Sequence, residues 1–146
     1  MPSAEVEDTA RALRLVVGQL VRRVRAETAG AAGVPPAQVA TLGWLDRDGP
    51  MTTSELAAAQ LVRHQSAARV VGQLVEQRLA VLRPHPSDGR KQLVSITPGG
   101  RRALARQRAE RAGWLATVID ERLTPAEQRT LARATELLGR LVDTPR

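Results

Sequence analysis

The chain has 146 residues, about one domain at roughly 150 residues each, and its lack of cysteine excludes disulfides, thiolate metal sites and a cysteine redox switch. Its 22 Lys and Arg against 15 Asp and Glu give a net charge of +7, which favours a polyanionic partner. No apolar run reaches the ~18 residues of a membrane span, and MPSAEVEDTAR lacks the basic-then-apolar order of a secretory signal. The chain therefore reads as soluble and cytoplasmic, with no membrane partner.

All the basic side chains but Lys91 are arginine, the better fork for phosphate and guanine edges. With two Trp and no Phe or Tyr, any core is aliphatic. Helix formers dominate, so the expected class is mainly α.

A first helix should begin at Ser3, an N-cap, with Glu5, Glu7 and Asp8 against the positive helix end. Val6, Ala10, Leu13, Val17, Leu20 and Val24 recur at steps of three and four, a narrow seam that packs along another helix. The partner is either intramolecular or a second subunit. AGAAGVPP breaks this helix through Gly30, Gly33, Pro35 and Pro36. The second helix shows Val39, Leu42 and Leu45 on one face and stops at Asp48-Gly49-Pro50. Trp44 lies off that stripe and is read either as core or as lining a cleft.

Thr52-x-x-Glu55 is a capping box for a third helix, with Leu56 and Ala57 facing inward. A turn falls near Gln60 to Val62, with Val62 as the apolar residue available to plug it. The next helix runs from about Arg63 to Arg78. Ala67, Val70, Val71, Leu74 and Val75 face inward, leaving Arg63, His64, Gln65, Ser66, Ala68, Arg69 and Gln73 for solvent. Such a face suits the major groove, where Arg forks onto guanine, Gln pairs with adenine and Ser meets phosphate or a base edge. Val81 to Arg83 and Gln92 to Ile96 are short strand candidates, with Asp88-Gly89 marking a tight hairpin turn. Arg83, Arg90 and Lys91 make that hairpin basic.

Thr97-Pro98 reopens a helix that runs to about Arg122, basic in its first half and apolar at Trp114, Leu115, Val118 and Ile119. Thr124-Pro125-Ala126-Glu127 caps the last helix, where Leu131, Ala134, Leu138 and Leu141 form another seam that wants a partner. Internal repeats and low-complexity linkers are absent, so the chain reads as one unit.

The ordered pieces PPAQVATLGWL, GPMTTSELA, VRHQSAAR, DGR with LVSIT, and TPGGRRAL, from about Val34 to Ala105, resemble the MarR family of winged-helix regulators. The resemblance implies one domain over 1–146. Residues 34–100 would form its winged helix-turn-helix core, and residues 4–29 and 98–142 its dimerisation helices. It implies a homodimer on a palindromic double-stranded operator, with the recognition helix in the major groove and the wing arginine toward the minor groove. Arg90 takes the place of the wing-tip arginine and Asp88 that of the acid orienting it; Gln65, Ser66 and Arg69 fall on the recognition surface. It also implies a small, often aromatic and anionic effector that releases the DNA. Two residues depart from the family pattern: His64 stands where proline is common, and Arg78 where glycine usually ends the helix.

The leading expectation is a DNA-binding transcriptional regulator, a dimeric repressor, and not an enzyme. Its DNA-binding residues are Thr52, Ser54, Arg63, His64, Gln65, Ser66, Arg69, Gln73, Arg83, Asp88, Arg90 and Lys91. Arg14, Trp44 and Trp114 are the candidates for an effector site. His64 and His85, the two histidines, are not spaced with carboxylates as a metal or acid/base set, and no cofactor is expected. The alternative is a winged-helix module for protein contacts with only nonspecific DNA affinity, its acidic partner meeting the arginines after Pro98.

Overall fold

The computed structural model describes residues 1–29 and 33–143. In chain order these form α1 (Ala4–Glu27), α2 (Pro36–Asp48), β1 (Met51–Thr52), α3 (Thr53–Gln60), α4 (His64–Glu76), β2 (Ala80–Pro84), β3 (Gln92–Ile96), α5 (Pro98–Arg122) and α6 (Pro125–Val142). They divide into two compact units, Met1–Arg111 and Ala112–Arg146. The class is mainly α with a small antiparallel sheet, as the sequence predicts.

Local chemistry sets most boundaries. The Ser3 hydroxyl accepts from the Val6 amide at 3.3 Å, starting α1. Gly30, expected to help break that helix, lies outside the described residues, whereas Gly33 takes a left-handed φ of 70°. Pro36 opens α2, and Gly49, at φ 80°, closes it. At α3 the capping box is complete: the Glu55 amide donates to Thr52 Oγ1 at 3.2 Å, and the Thr52 amide donates to Glu55 Oε2 at 2.8 Å.

The core of the first unit joins Val39, Leu42 and Leu45 of α2 to Leu56 of α3 and to Val70, Val71 and Leu74 of α4. Ala80, Val94, Ala103 and Leu104 complete it from the sheet and α5. Each fully buried leucine or valine contributes about 1.5–3 kcal/mol by leaving water. Gly100 lets α5 press against the chain after α4: a Cβ there would lie 2.1 Å from the Leu79 carbonyl oxygen.

The sheet has three strands in the order β1-β3-β2, all antiparallel, with Met51 opposite Val94 and Leu82 also opposite Val94. The two strand candidates are thus found and a third is added. The hairpin is looser than the tight turn expected from Asp88-Gly89. Residues 85–91 connect the strands, closed by His85 N–H to Lys91 O at 3.0 Å and Lys91 N–H to Asp88 O at 3.0 Å. Gly89 does not adopt a positive φ, so the primed turn that Asp-Gly favours is not used.

The turn between α3 and α4 is also closed differently. Val62 does not plug it, being 44% exposed. Leu61 instead takes a left-handed conformation (φ 54°), and backbone bonds from Leu61 N–H to Ala58 O and Val62 N–H to Ala57 O make the ending. That pattern is a Schellman motif, normally built on glycine.

α1 buries none of its residues within its unit, and Val6, Val16, Val17, Leu20 and Val21 are all exposed. The apolar face is wider than the single seam, since Val16 and Val21 join it. In the second unit, Thr124 and Glu127 form the expected box, with the Thr124 amide donating to Glu127 Oε2 at 2.8 Å. α6 also buries no residue; Leu131, Leu137 and Leu141 are exposed.

Candidate nucleic-acid interface

α4 is the second helix of a tight pair, and its polar residues open outward as its burial pattern requires. Ala67, Val70, Val71 and Leu74 are buried, while Arg63, His64, Gln65, Ser66 and Arg69 are exposed. Arg63 is the N-cap and makes no side-chain cap bond. The amides of the first turn, at His64, Gln65 and Ser66, therefore meet no capping side chain, a site that favours anions.

Gln73 is placed less openly than the rest. It is half-buried, and its Oε1 accepts from Gln38 Nε2 at 3.3 Å. This bond ties α4 to α2. Thr52 is likewise half-buried and occupied by its capping box, whereas Ser54, two residues on, is exposed.

The wing is basic at its tip. Arg83, Arg90 and Lys91 are exposed. Asp88 Oδ1 accepts from the Arg90 backbone amide at 3.1 Å, so the acid fixes the main chain at Arg90 and leaves its guanidinium free. Arg63, Arg69, Arg83, Arg90 and Lys91 carry no ion pair among the described residues. α4 and the wing both lie in the first unit, which therefore carries both sets of cations.

The helix after Pro98 uses its arginines otherwise. Arg101 Nη1 and Arg108 Nη1 both donate to Asp46, at 3.0 and 3.1 Å, which ties α5 to α2. Beside that tie, still within the first unit, lies a cleft of about 540 Å³. Trp44 lines it together with Arg25, Arg47, Arg108 and Arg111. The Arg47 guanidinium carbon stands 4.1 Å from the Trp44 ring centre, a cation–π contact. Arg111 Nε is buried without a hydrogen-bond partner. Burial, and then the neighbouring charge of Arg25, lower the Arg111 pKa from its ordinary value.

Of the three effector-site candidates, Trp44 lines this cleft. Arg14 is exposed on α1 and does not line it, while Trp114 is half-buried in the second unit. Arg25, which does line it, lies eleven residues after Arg14, about three helical turns along the same stripe. Sequence reasoning missed Arg25, Arg47, Arg108 and Arg111 as cleft residues. The spacing of Arg108 and Arg111 on one face of α5 was the available signal. Among the described residues no group of His, Asp and Glu is arranged to hold a metal ion, and no helix is long and apolar enough to cross a membrane.

Comparison with known proteins decides the family. Residues 32–91 match the model of the MarR family. An HTH-type transcriptional regulator of Mycobacterium bovis is 34% identical over 131 residues, 90% of each chain. The chain belongs to the MarR family. It is a transcriptional regulator with a DNA-binding winged helix, not an enzyme. A crystal structure of a candidate transcriptional regulator from Pseudomonas aeruginosa is 34% identical, with a TM-score of 0.79 and coverage of 99% of this chain and 100% of that one. A MepR variant from S. aureus, solved bound to an oligodeoxyribonucleotide, is 16% identical with a TM-score of 0.65 over 91% of this chain and 97% of that one. This last likeness is one of fold alone.

Proposed function

We propose that this MarR-family chain is a homodimeric cytoplasmic repressor of a palindromic operator. One observation carries the reading: the exposed Arg63–Arg69 face of α4 and the unpaired Arg90 of the wing project from a single core. Arg63, His64, Gln65, Ser66 and Arg69 read base edges and phosphates in the major groove, with Ser54 and Lys91 on the backbone. Arg90, held at its main chain by Asp88, enters the minor groove, and Arg83 supports the wing. Thr52 and Gln73 act through position, the first by capping α3 and the second by anchoring α4 to Gln38.

The dimer is the role proposed for the apolar residues that α1 and α6 leave exposed, which makes 4–29 and 98–142 dimerisation segments around the 34–100 core. A small aromatic anion is the effector proposed for the Trp44 cleft, where Arg25 and Arg111 meet its charge and the indole its ring. The protein-module alternative keeps the exposed Arg102 and Arg106 of α5, whereas Arg101 and Arg108 already share Asp46.

Selection of the operator from random duplex DNA tests the proposal. Two half-sites about one helical turn, roughly 34 Å, apart are expected; a monomeric protein, or selected sites without dyad symmetry, would sink it. Arg90→Ala should weaken operator binding by about 1–3 kcal/mol and leave the dimer intact by sedimentation.

A further inference from the structure

Two non-glycine residues among the described ones have a left-handed backbone, Leu61 and Arg78. Leu61 is the more costly of the two. It sits at a helix ending where glycine or asparagine is the unstrained choice, and its side chain is 93% exposed. A leucine so placed is strained and also puts an apolar group into water, and neither feature helps the fold. Val62 beside it is 44% exposed. The two make an apolar ridge on a surface that is otherwise polar and basic, immediately before Arg63 and the first turn of α4.

A ridge of two residues is far too small for a protein interface, which takes about 800 Å² per partner. It does match the scale of a single apolar feature on DNA. The thymine methyl is the one apolar group that base edges present in the major groove. Residues directly before the recognition helix enter with its N-terminus. We propose that Leu61, flanked by Val62, contacts a thymine methyl in each half-site and is a specificity-determining residue of the regulator. The inference rests on the DNA-binding reading above.

The test compares wild type with Leu61→Gly on the selected operator, on unrelated duplex, and on operators in which single thymines are replaced by uracil. Leu61→Gly should melt at a higher temperature than wild type, so loss of fold does not confound the result. It should bind the operator about four- to fifteenfold more weakly, the scale of one or two lost methyl contacts, with affinity for unrelated duplex unchanged. One uracil position per half-site should weaken wild type by a similar factor and leave Leu61→Gly unaffected.

The inference fails alone if wild type prefers its operator and Leu61→Gly prefers it equally, or if no uracil position is coupled to residue 61. An unchanged operator affinity with loss of self-association would assign the ridge to protein contact and overturn the proposal. Wild type that shows no preference for any sequence overturns the operator reading, and this inference with it.

Discussion

Arg78 shows how much strain one position can carry when its neighbours are arranged for it. It ends α4 in the left-handed conformation, which costs an L-residue about 1–2 kcal/mol. Against that cost stand Arg78 N–H to Val75 O at 3.0 Å, Leu79 N–H to Leu74 O at 2.8 Å and Thr97 Oγ1–H to Arg78 O at 2.7 Å. At about 0.5–1.5 kcal/mol each, these bonds outweigh the strain. The helix-to-strand junction therefore keeps the glycine-type ending without a glycine. The sequence marks Arg78 as a departure but leaves its outcome open, because Thr97 is nineteen residues away. Arg78→Gly should raise stability by roughly 0.5–1 kcal/mol, the left-handed strain less the extra unfolded-state entropy of glycine. Chemical denaturation would show it as a higher midpoint at constant slope, and a lower midpoint would contradict the balance. His64 is the simpler departure: α4 begins there with no side-chain cap.

At the scale of elements, the caps were legible because they are local. Ser3, the Thr52-Glu55 box and the Thr124-Glu127 box each act within three residues and appear as read. Glu127 adds a pH dependence. The Thr124 backbone amide first, and its hydroxyl second, hold the Glu127 carboxyl below its ordinary value of 4.5. A depressed folded-state pKa means the stabilisation is present above the unfolded value and is lost as pH falls through the folded one. The melting-temperature advantage of wild type over Glu127→Gln should accordingly shrink as pH drops below 4.5. It should be small throughout, since the pair is exposed to solvent screening. An advantage constant across that range would remove the carboxylate from the cap. Other elements were hidden. β1 is two residues long and exists only through pairing with Leu93 and Val94, which no local pattern announces. The wing loop outgrew its Asp-Gly signal because Asp88 turns the chain with its own carboxylate instead.

For the whole molecule, the +7 charge is less informative than its distribution. Arg101 and Arg108 share the single carboxylate of Asp46 across 55 and 62 residues of chain, a pairing invisible to sequence periodicity. The five unpaired cations of α4 and the wing are those proposed to meet DNA. At about −0.9 in the logarithmic salt slope per phosphate contact, one copy could reach about −4.5 and two copies about −9. A fluorescence-anisotropy titration across salt concentrations should therefore give a slope steeper than one copy can supply. A shallower slope would count against the paired arrangement. The apolar periodicities of α1 and α6 were readable in sequence, but the width of the α1 face was not. Val16 and Val21 lie off the strict three-four spacing of the seam.

The near absence of aromatic residues has an optical consequence. With no tyrosine and only two tryptophans, Trp114→Phe leaves a protein whose near-ultraviolet emission arises from Trp44 alone. That indole lies under the Arg47 guanidinium and lines the cationic cleft. An aromatic carboxylate such as benzoate, stacked there against Arg25 and Arg111, should change both the intensity and the wavelength of its emission. The chain thus carries its own dye in the cleft proposed for the effector, readable without a label and without DNA present.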